Sequence, residues 1–357
     1  MDNPNMSNYK CPFSLVFFLF QHYNIIHTMT DRPSSPNPRK QTDASSLLLE
    51  LAKIFCLKKF SRALINNKPL LNNDIDDHYK PNIAHDLKSF HKYNFPSFND
   101  EDFERLNLDH YLFRFQWQSN FSSPIEQNLL SGGLKVLDVG CGTGTWILDM
   151  AKEYHSTNIY IGIDILPILP DENSRLSNTG FIQCDLLDGI PFPDSTFDFV
   201  CERFLIYPDL TDSQWKYLFS EIKRVLKPGG YLEIMEYRIG YDNPGPITQN
   251  RNDQVFRYLN SKGIDPETTI NSIPQMLQSS SFSDFHKQDK ICPIGRWGGE
   301  IGLMMLNSYE TSQKALNKRF QPGLTEEETD DIFASIASEF DEYKTQLVNF
   351  RCYARKN

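Results

Sequence analysis

The stretch LKVLDVGCGTGTWILD, residues 134–149, decides the fold of this chain. Its first part, residues 134–139, is apolar and rich in β-branched side chains, which is typical of a buried strand in a parallel sheet. Gly140, Gly142 and Gly144 then alternate with other residues, and apolar side chains at helical spacing follow. Glycine adopts positive φ easily and lets a ligand approach the backbone closely. The pattern predicts a strand, a tight glycine turn that contacts a ligand, and a helix.

The charge beside this turn separates two classes of ligand. Dinucleotide-binding proteins use the pattern G-x-G-x-x-G, with the pyrophosphate at the N-terminus of the helix. Counted from Gly140, the third glycine of that pattern would fall at Thr145, so the pattern is not met. Asp138, at the end of the predicted strand, would repel a phosphate and attract an ammonium group. S-adenosylmethionine carries an ammonium group and no phosphate, so it fits this turn better than NAD.

Further strand patterns follow along the chain. Residues 158–165 (NIYIGIDI) predict a second strand, and Asp164 near its end lies 20 residues after Gly144. An acidic side chain at this spacing is placed to accept hydrogen bonds from ribose hydroxyls. Residues 180–184 predict a third strand and residues 197–201 a fourth.

In sequence and order these elements resemble the class I S-adenosylmethionine-dependent methyltransferases. The string EIKRVLKPGG, residues 221–230, matches the helix and turn that precede the fifth strand of that family, here expected at residues 231–237. The segment ERLNLDHYLFR, residues 104–114, is similar to the region ahead of the first motif in a fungal group. That group includes the velvet-complex regulator and trans-aconitate-methyltransferase-like domains. The resemblance extends from residue 104 to the C-terminus.

The resemblance implies a fold and a cofactor. The fold is α/β: a Rossmann-like, seven-stranded, mostly parallel sheet with helices on both faces and an antiparallel last strand. The cofactor is S-adenosyl-L-methionine, and Asp185 matches the acidic position that accepts from the adenine amino group. The expected cofactor-binding residues are Asp138, Gly140, Cys141, Gly142, Thr143, Gly144, Asp164, Ile165, Asp185, Leu186 and Glu202.

Candidate substrate contacts lie at two places in the chain. Tyr111 and Arg114 belong to a helix predicted at residues 100–121, and Arg114 could pair with the cofactor's carboxylate or with an acidic substrate. The other candidates lie just past the fourth strand or on the fifth: Arg203, Tyr207 and Glu236.

A general base is needed only if the acceptor arrives protonated. Glu202, Glu236 and His110 are candidates for that role, and the sequence distinguishes none of them. We therefore predict no catalytic residue. The absence of an NPPY tetrapeptide after the fourth strand, where RFLIYP stands at residues 203–208, argues against an amide or exocyclic-amine acceptor.

Composition excludes several classes of function. The chain has 357 residues and a net charge of −10, which argues against broad binding to nucleic acid. Its seven cysteines include no C-x-x-C pair, and its histidines are scattered. We infer a reducing compartment, no disulfide framework and no metal site.

The N-terminal part of the chain differs in character from the rest. Residues 1–75 are expected to be disordered or weakly structured, residues 76–131 to form a helical cap, and residues 132–357 the methyltransferase core. The apolar run at residues 11–20 is about half the length of a membrane span, so we expect no transmembrane segment, with a signal or anchor as the alternative. The basic amphipathic stretch at residues 45–64 suits a protein partner or a membrane surface, or is a helix without a partner.

The functional hypothesis is transfer of a methyl group from S-adenosylmethionine to an unidentified acceptor. A small molecule is favoured over a protein, nucleic acid is disfavoured, and the expected location is the cytoplasm, with the nucleus as the alternative. A non-catalytic regulator that keeps the fold and the cofactor is a second hypothesis. A nicotinamide oxidoreductase is the third, and Thr145 argues against it.

Removal of the N-terminal extension is the first test, since every predicted cofactor element lies after it. A chain beginning near residue 75 should fold and bind S-adenosylhomocysteine, the demethylated cofactor, with unchanged affinity in calorimetry. A shortened chain that folds but loses this binding would assign the extension a part in the site.

Overall fold

A central sheet with flanking helices makes up the part of the chain that the structure, a computed structural model, describes. The described residues are 100–166, 168–170, 172–205, 210–279, 281–321 and 323–357. The strands are β1 (Lys135–Val139), β2 (Ile159–Asp164), β3 (Thr179–Gln183), β4 (Phe197–Arg203), β5 (Leu226–Tyr237), β6 (Phe282–Pro293) and β7 (Gln346–Lys356). The helices are α1 (Asp100–Trp117), α2 (Glu126–Ser131), α3 (Thr145–Glu153), α4 (Asp212–Val225), α5 (Pro246–Ser261), α6 (Pro266–Leu277), α7 (Gly299–Phe320) and α8 (Glu326–Tyr343). The predictions for residues 1–75 and 76–99 lie outside the described residues.

The strand order is β3-β2-β1-β4-β5-β7-β6. β1 pairs in parallel with β2 and with β4, and β7 runs antiparallel to both of its neighbours, β5 and β6. The chain therefore builds the sheet outward from β1, first to one side and then to the other. Ligands of such sheets bind where the order reverses, outside the carboxyl ends of the strands. The predicted Rossmann-like sheet with an antiparallel last strand is confirmed.

Side chains from β1 enter two separate hydrophobic layers, one on each face of the sheet. Val136 is buried with Trp146 and Ile147 of α3, whereas Leu137 and Val139 belong to the layer that includes α4 and α6. Successive side chains of a strand point to opposite faces, so a strand buried on both sides is apolar throughout. Helices therefore cover both faces, as predicted.

The junction between α4 and β5 differs from the prediction. Residues 227–230 were expected to form a turn before a strand at residues 231–237, but β5 begins at Leu226, directly after the helix. The register against β4 shifts there: Phe197 pairs with Leu226 and Phe199 with Tyr231. The intervening glycines absorb the irregularity, because Gly229 has a φ of 79°.

Helix α6 was not predicted. Asp265 caps it by accepting from the Thr268 amide at 3.2 Å, and Pro266 occupies the first turn. Pro274 lies inside the helix, and an internal proline normally argues against a helix because it removes a backbone donor. The start signal, an aspartate followed by proline, was present in the sequence.

A buried carboxylate ties the segment after α1 to the middle of the sheet. Glu233 of β5 is 1% exposed and accepts from the Ser122 amide at 2.8 Å and from the Ser123 amide and hydroxyl, each at 2.7 Å. The guanidinium of Arg351 on β7, also buried, lies 3.8 Å from the same carboxylate. A buried charge is tolerated only when it is paired and hydrogen bonded in this way.

Loss of this carboxylate should destabilise the fold. Glu233→Ala would leave Arg351 buried without its charge partner and two amides without their acceptor. We expect a loss of about 3–5 kcal/mol in the free energy of unfolding, measured by urea denaturation. The exposed Glu342 provides the control, because Glu342→Ala should change stability by less than about 0.5 kcal/mol. Equal effects of the two substitutions would contradict this account of Glu233.

Candidate functional site

A cavity of about 360 Å³ lies at the carboxyl edge of the sheet, beside α1. One end is formed by the glycine turn between β1 and α3 and by the residues that follow β2 and β4. Eight of the predicted cofactor and substrate residues lie on this wall: Gly140, Cys141, Gly142, Thr143, Asp164, Ile165, Leu186 and Arg203. The tertiary structure thus brings together residues from four separate segments.

The three glycines of the turn have different roles. Each has positive φ: 73° for Gly140, 54° for Gly142 and 70° for Gly144. A Cβ at Gly140 would lie 2.8 Å from Leu205, and one at Gly144 would lie 2.5 Å from Phe181, so these two glycines allow close packing. A Cβ at Gly142 would meet nothing nearer than a Leu106 atom at 3.6 Å. Gly142 alone of the three leaves room on the cavity side for a ligand.

Asp164 fixes the shape of this turn. Its carboxylate, at the end of β2, accepts from the Gly142 amide at 2.7 Å and from the Leu166 amide at 2.8 Å. Burial raises the pKa of Asp164, and these backbone hydrogen bonds lower it. The side chain is 7% exposed and reaches the cavity wall. The predicted contact with ribose hydroxyls remains a prediction.

Asp138 lies behind the cavity wall and is not part of it, contrary to the expectation of a direct contact. It is 1% exposed, and its Oδ2 atom has no hydrogen-bond partner among the residues that the structure describes. Burial raises the pKa of Asp138 to about 7, although the nearby Arg203 guanidinium lowers it. The reason is the position of Asp138 inside β1, where neighbouring strands cover it. A buried carboxylate without a full set of partners fits a cation bound in front of it.

Glu202 and Glu236 also lie away from the cavity wall. Both are 0% exposed, and they are hydrogen bonded to each other across β4 and β5. Burial and the charge of Glu236 raise the pKa of Glu202 well above its usual value, because two adjacent carboxylates cannot both ionise easily. The Leu205 amide donates to Glu202 at 3.0 Å. Neither glutamate lines the cavity, so the contact of Glu202 with the cofactor and that of Glu236 with the substrate remain predictions.

Arg114 does not line the cavity, and its contact with the cofactor or the substrate remains a prediction. Its guanidinium forms ion pairs with Asp149 and, at 2.8 Å, with Glu153, both on α3. The Asn120 amide donates to the same two carboxylates at 3.1 and 3.2 Å. These contacts fasten α1 and its following segment to the first core helix.

The remaining predicted residues are also off the wall. Asp185 caps a short 3-10 helix by accepting from the Leu187 amide at 2.9 Å. Tyr111 packs edge-on against His110, with ring centroids 4.9 Å apart, and does not line the cavity. Tyr207 lies outside the described residues.

His110 lines the cavity but is held as a neutral side chain. Its Nε2 lies 3.1 Å from Asp149 and its Nδ1 lies 3.4 Å from an Arg203 nitrogen. Because guanidinium can only donate, Nδ1 is the acceptor and Nε2–H donates to Asp149. Burial lowers the pKa of His110 to about 4, although the bond to Asp149 raises it. With both ring nitrogens engaged, His110 is not a free base.

Sequence reasoning missed Asn107. Its side-chain oxygen accepts from the Thr143 hydroxyl at 2.8 Å and from the Thr145 hydroxyl, so α1 is joined to the glycine turn itself. Asn107 precedes His110 by three residues and therefore shares its helix face. That spacing is the signal that could have identified it.

The contributions of α5 and α7 to the other end of the cavity were not predicted. This end is formed by α1, the end of β5, α5 and α7, elements that are far apart in sequence. The side chains on this wall include Asp109, Tyr237, Phe256, Met305, Ser308 and Tyr309. They are mostly aromatic or apolar, with a few polar groups, which is the usual composition of a site for a small organic ligand.

The sheet order, the glycine turn and the cavity at the switch in strand order define a class I methyltransferase fold. Comparison with known proteins agrees. Residues 136–230 match the family described as a methyltransferase domain. The predicted resemblance to class I S-adenosylmethionine-dependent methyltransferases is confirmed, and it includes the fungal group.

The relatives cover only part of the chain. An N-methyltransferase, verN, from Clonostachys rogersoniana is 27% identical over 42% of this chain and 51% of that protein. The secondary metabolism regulator LAE1 of Hypocrea atroviridis is 26% identical over 58% of this chain and 59% of that one. This chain thus spans less than two thirds of either relative. A solved structure, phosphoethanolamine N-methyltransferase 2 of Haemonchus contortus with S-adenosyl-L-methionine, aligns at 19% identity and a TM-score of 0.41, over 70% of this chain and 57% of that one.

The described helices include none with the length and apolar character that a membrane crossing requires. The five cysteines within the described residues form no disulfide.

Burial of neutral His110 should make stability depend on pH. Its pKa is about 4 in the folded protein and about 6.5 when unfolded, so below pH 6.5 the unfolded chain binds a proton that the folded chain does not. The contribution of His110 to the free energy of unfolding is therefore fully present above pH 6.5 and decreases as the pH drops towards 4. Between pH 7 and pH 5 we expect His110 to contribute a loss of about 2 kcal/mol, measured as the difference between wild type and His110→Gln in urea unfolding. The comparison is needed because Asp138, whose pKa is raised by burial, acts in the opposite direction and is present in both proteins.

His110→Gln should remove this part of the pH dependence, whereas the same substitution at the exposed His155 should leave it in place. A pH dependence of stability in His110→Gln that equals that of wild type would show that His110 is not responsible.

Proposed function

We propose that this protein is an S-adenosylmethionine-dependent methyltransferase that modifies a small-molecule acceptor. The observation that carries the proposal is the turn at Gly142, where the missing side chain leaves space on the cavity wall beside the Asp164 carboxylate. In this proposal residues 76–131 form the cap and residues 132–357 the methyltransferase core.

The residues at this end of the cavity suit the cofactor. Asp164 would accept from the ribose hydroxyls, and Asp185 would accept from the adenine amino group after a movement of its loop. Asp138, whose Oδ2 atom lacks a partner, would attract the ammonium group from behind the wall. Arg203 lines the cavity and would bind the carboxylate of the methionine part.

The cofactor, when bound, supplies a methyl group on a positively charged sulfur. The chain contributes orientation. The glycine turn would hold the cofactor, and the far wall of the cavity would hold the acceptor in line with the methyl group. Holding two reactants in the reacting geometry supplies much of the rate of such a displacement. Helix α1, joined to the turn through Asn107, covers the reacting centre and limits access of water.

The location of the cavity supports a small acceptor. Its far end lies among side chains of α1, α5 and α7, which suits a compact organic molecule better than a loop of a folded protein. The relative verN described above is named an N-methyltransferase, and this supports nitrogen as the acceptor atom. LAE1 is named a regulator, so a cofactor-binding regulator without turnover is the alternative. We place the protein in the cytoplasm, with the nucleus as the alternative.

Calorimetry tests the cofactor. S-adenosylmethionine and S-adenosylhomocysteine should bind the full-length protein, and NAD should not. Gly142→Val should abolish this binding in a folded protein, because the side chain fills the space that the ligand needs.

Gly133→Val provides a matched control. Gly133 also has positive φ, 86°, but nothing lies within 4 Å of a Cβ placed there. A valine at this position therefore introduces the same kind of backbone strain but occupies no space that the ligand needs. NAD binding in place of either methionine derivative would refute the proposal, as would full affinity in a folded Gly142→Val protein. A further assay distinguishes an enzyme from a regulator without turnover. An enzyme should release S-adenosylhomocysteine when it is incubated with S-adenosylmethionine and a fractionated small-molecule extract, whereas a regulator should not.

A further inference from the structure

Asp109 is a buried charged group in the cavity that the cofactor site does not use. It lies on the cavity wall, is 8% exposed, and belongs to the middle of α1. Arg105, one helical turn earlier, donates to its Oδ2 atom at 2.9 Å. The Oδ1 atom is buried and has no hydrogen-bond partner among the described residues. Burial raises the pKa of Asp109, whereas the Arg105 charge and the neighbouring Ser308 hydroxyl lower it.

The position of Asp109 places it next to the reacting centre. Leu106, three residues earlier on the same helix face, is the side chain nearest to the open space at Gly142. Three residues of an α-helix rise by about 4.5 Å, so Asp109 lies roughly one turn further along the cavity. An acceptor bound beyond the methyl group would therefore meet this carboxylate.

The surroundings of Asp109 favour a ligand that donates a hydrogen bond over a ligand that carries a carboxylate. Its neighbours on the wall are mainly apolar or aromatic, among them Tyr237, Met305 and Tyr309. Two arginines on the described wall are ion-paired: Arg105 with Asp109, and Arg238 with Asp242. Arg203, the third, lies against His110 and over the Trp146 ring, and the proposed function assigns it to the carboxylate of the cofactor. An acidic acceptor would meet the Asp109 carboxylate without a cation to balance it, whereas an N–H group would satisfy Oδ1.

We propose that Asp109 binds the acceptor, and that the acceptor is a small amine with an apolar or aromatic body. This inference rests on the proposed methyltransferase function. The unprotonated amine nitrogen donates one N–H to Oδ1 and uses its lone pair to form the new N–C bond as the S–C bond breaks. The positive charge passes from sulfur to nitrogen, and no proton moves in that step. The carboxylate stabilises the charge that develops on nitrogen.

Two matched pairs of probes test this inference. Phenethylamine and phenylpropanoate share a ring and a short side chain but differ in charge, as do tryptamine and indolepropanoate. Binding is measured by calorimetry on the full-length protein saturated with S-adenosylhomocysteine. We expect each amine to bind at least ten-fold more tightly than its acid, and the products of incubation with S-adenosylmethionine to be N-methylated amines by mass spectrometry.

Asp109→Asn should reduce the ratio of the amine's affinity to that of its matched acid ten-fold or more, while the affinity for S-adenosylhomocysteine stays unchanged. Glu300→Gln makes the same chemical change at an exposed position on α7 and should leave the ratio unaltered. If Asp109→Asn does not fold, the double variant Arg105→Gln/Asp109→Asn removes both members of the ion pair and avoids an unpaired arginine.

The outcomes separate this inference from the function on which it rests. Equal or tighter binding of the acids, a ratio unchanged by Asp109→Asn, or no amine binding to the saturated protein would overturn the role of Asp109. Failure of the wild-type protein to bind S-adenosylhomocysteine would instead overturn the proposed function. Amine binding without methyl transfer would support Asp109 as the binding residue of a regulator.

Discussion

The docking of helix α1 on the first β-strand–helix unit depends on one carboxylate, that of Asp149. It accepts from His110 at 3.1 Å, from Asn120 at 3.1 Å and from Arg114. Burial alone raises the pKa of Asp149, but these partners outweigh it and hold the pKa at about 2. Because Asp149 lies on the helix that begins at the glycine turn, the same contact sets the distance between α1 and that turn. Both ends of the cavity depend on this spacing.

The carboxylates near the cavity have different roles because they differ in burial and in partners. Asp164 is satisfied by backbone amides and shapes the turn. Glu202 and Glu236 face each other inside the sheet, where burial favours the neutral form of Glu202. Asp109 keeps a charged partner on one oxygen and none on the other. Similar residue types thus serve as a scaffold, as a buried pair and, in our proposal, as a ligand contact.

The insertion of β7 between β5 and β6 explains why the far end of the cavity comes from late in the chain. Before returning to the sheet the chain forms α7 and α8, and α7 packs against α1. The wall that would contact an acceptor is therefore built from residues near 109 and near 308. In such an arrangement, substitutions in the wall can alter which acceptor binds without altering the core strands. The choice of acceptor is thereby separated from the binding of the cofactor.

The sequence by itself determined the positions of the first four strands, the glycine turn and the acidic residue at the end of β2. Each of these depends on local pattern: apolar runs, glycines that permit positive φ, and fixed spacing along one strand–turn–helix unit. Only the tertiary structure decided which way Arg114, Glu202 and Glu236 face, because their positions depend on neighbours distant in sequence. It also placed Ser308 beside Asp109 and left Oδ1 of that aspartate without a hydrogen-bond partner in the described part of the chain. No local pattern records such a contact, since burial and hydrogen bonding at this wall arise only when α1 and α7 meet.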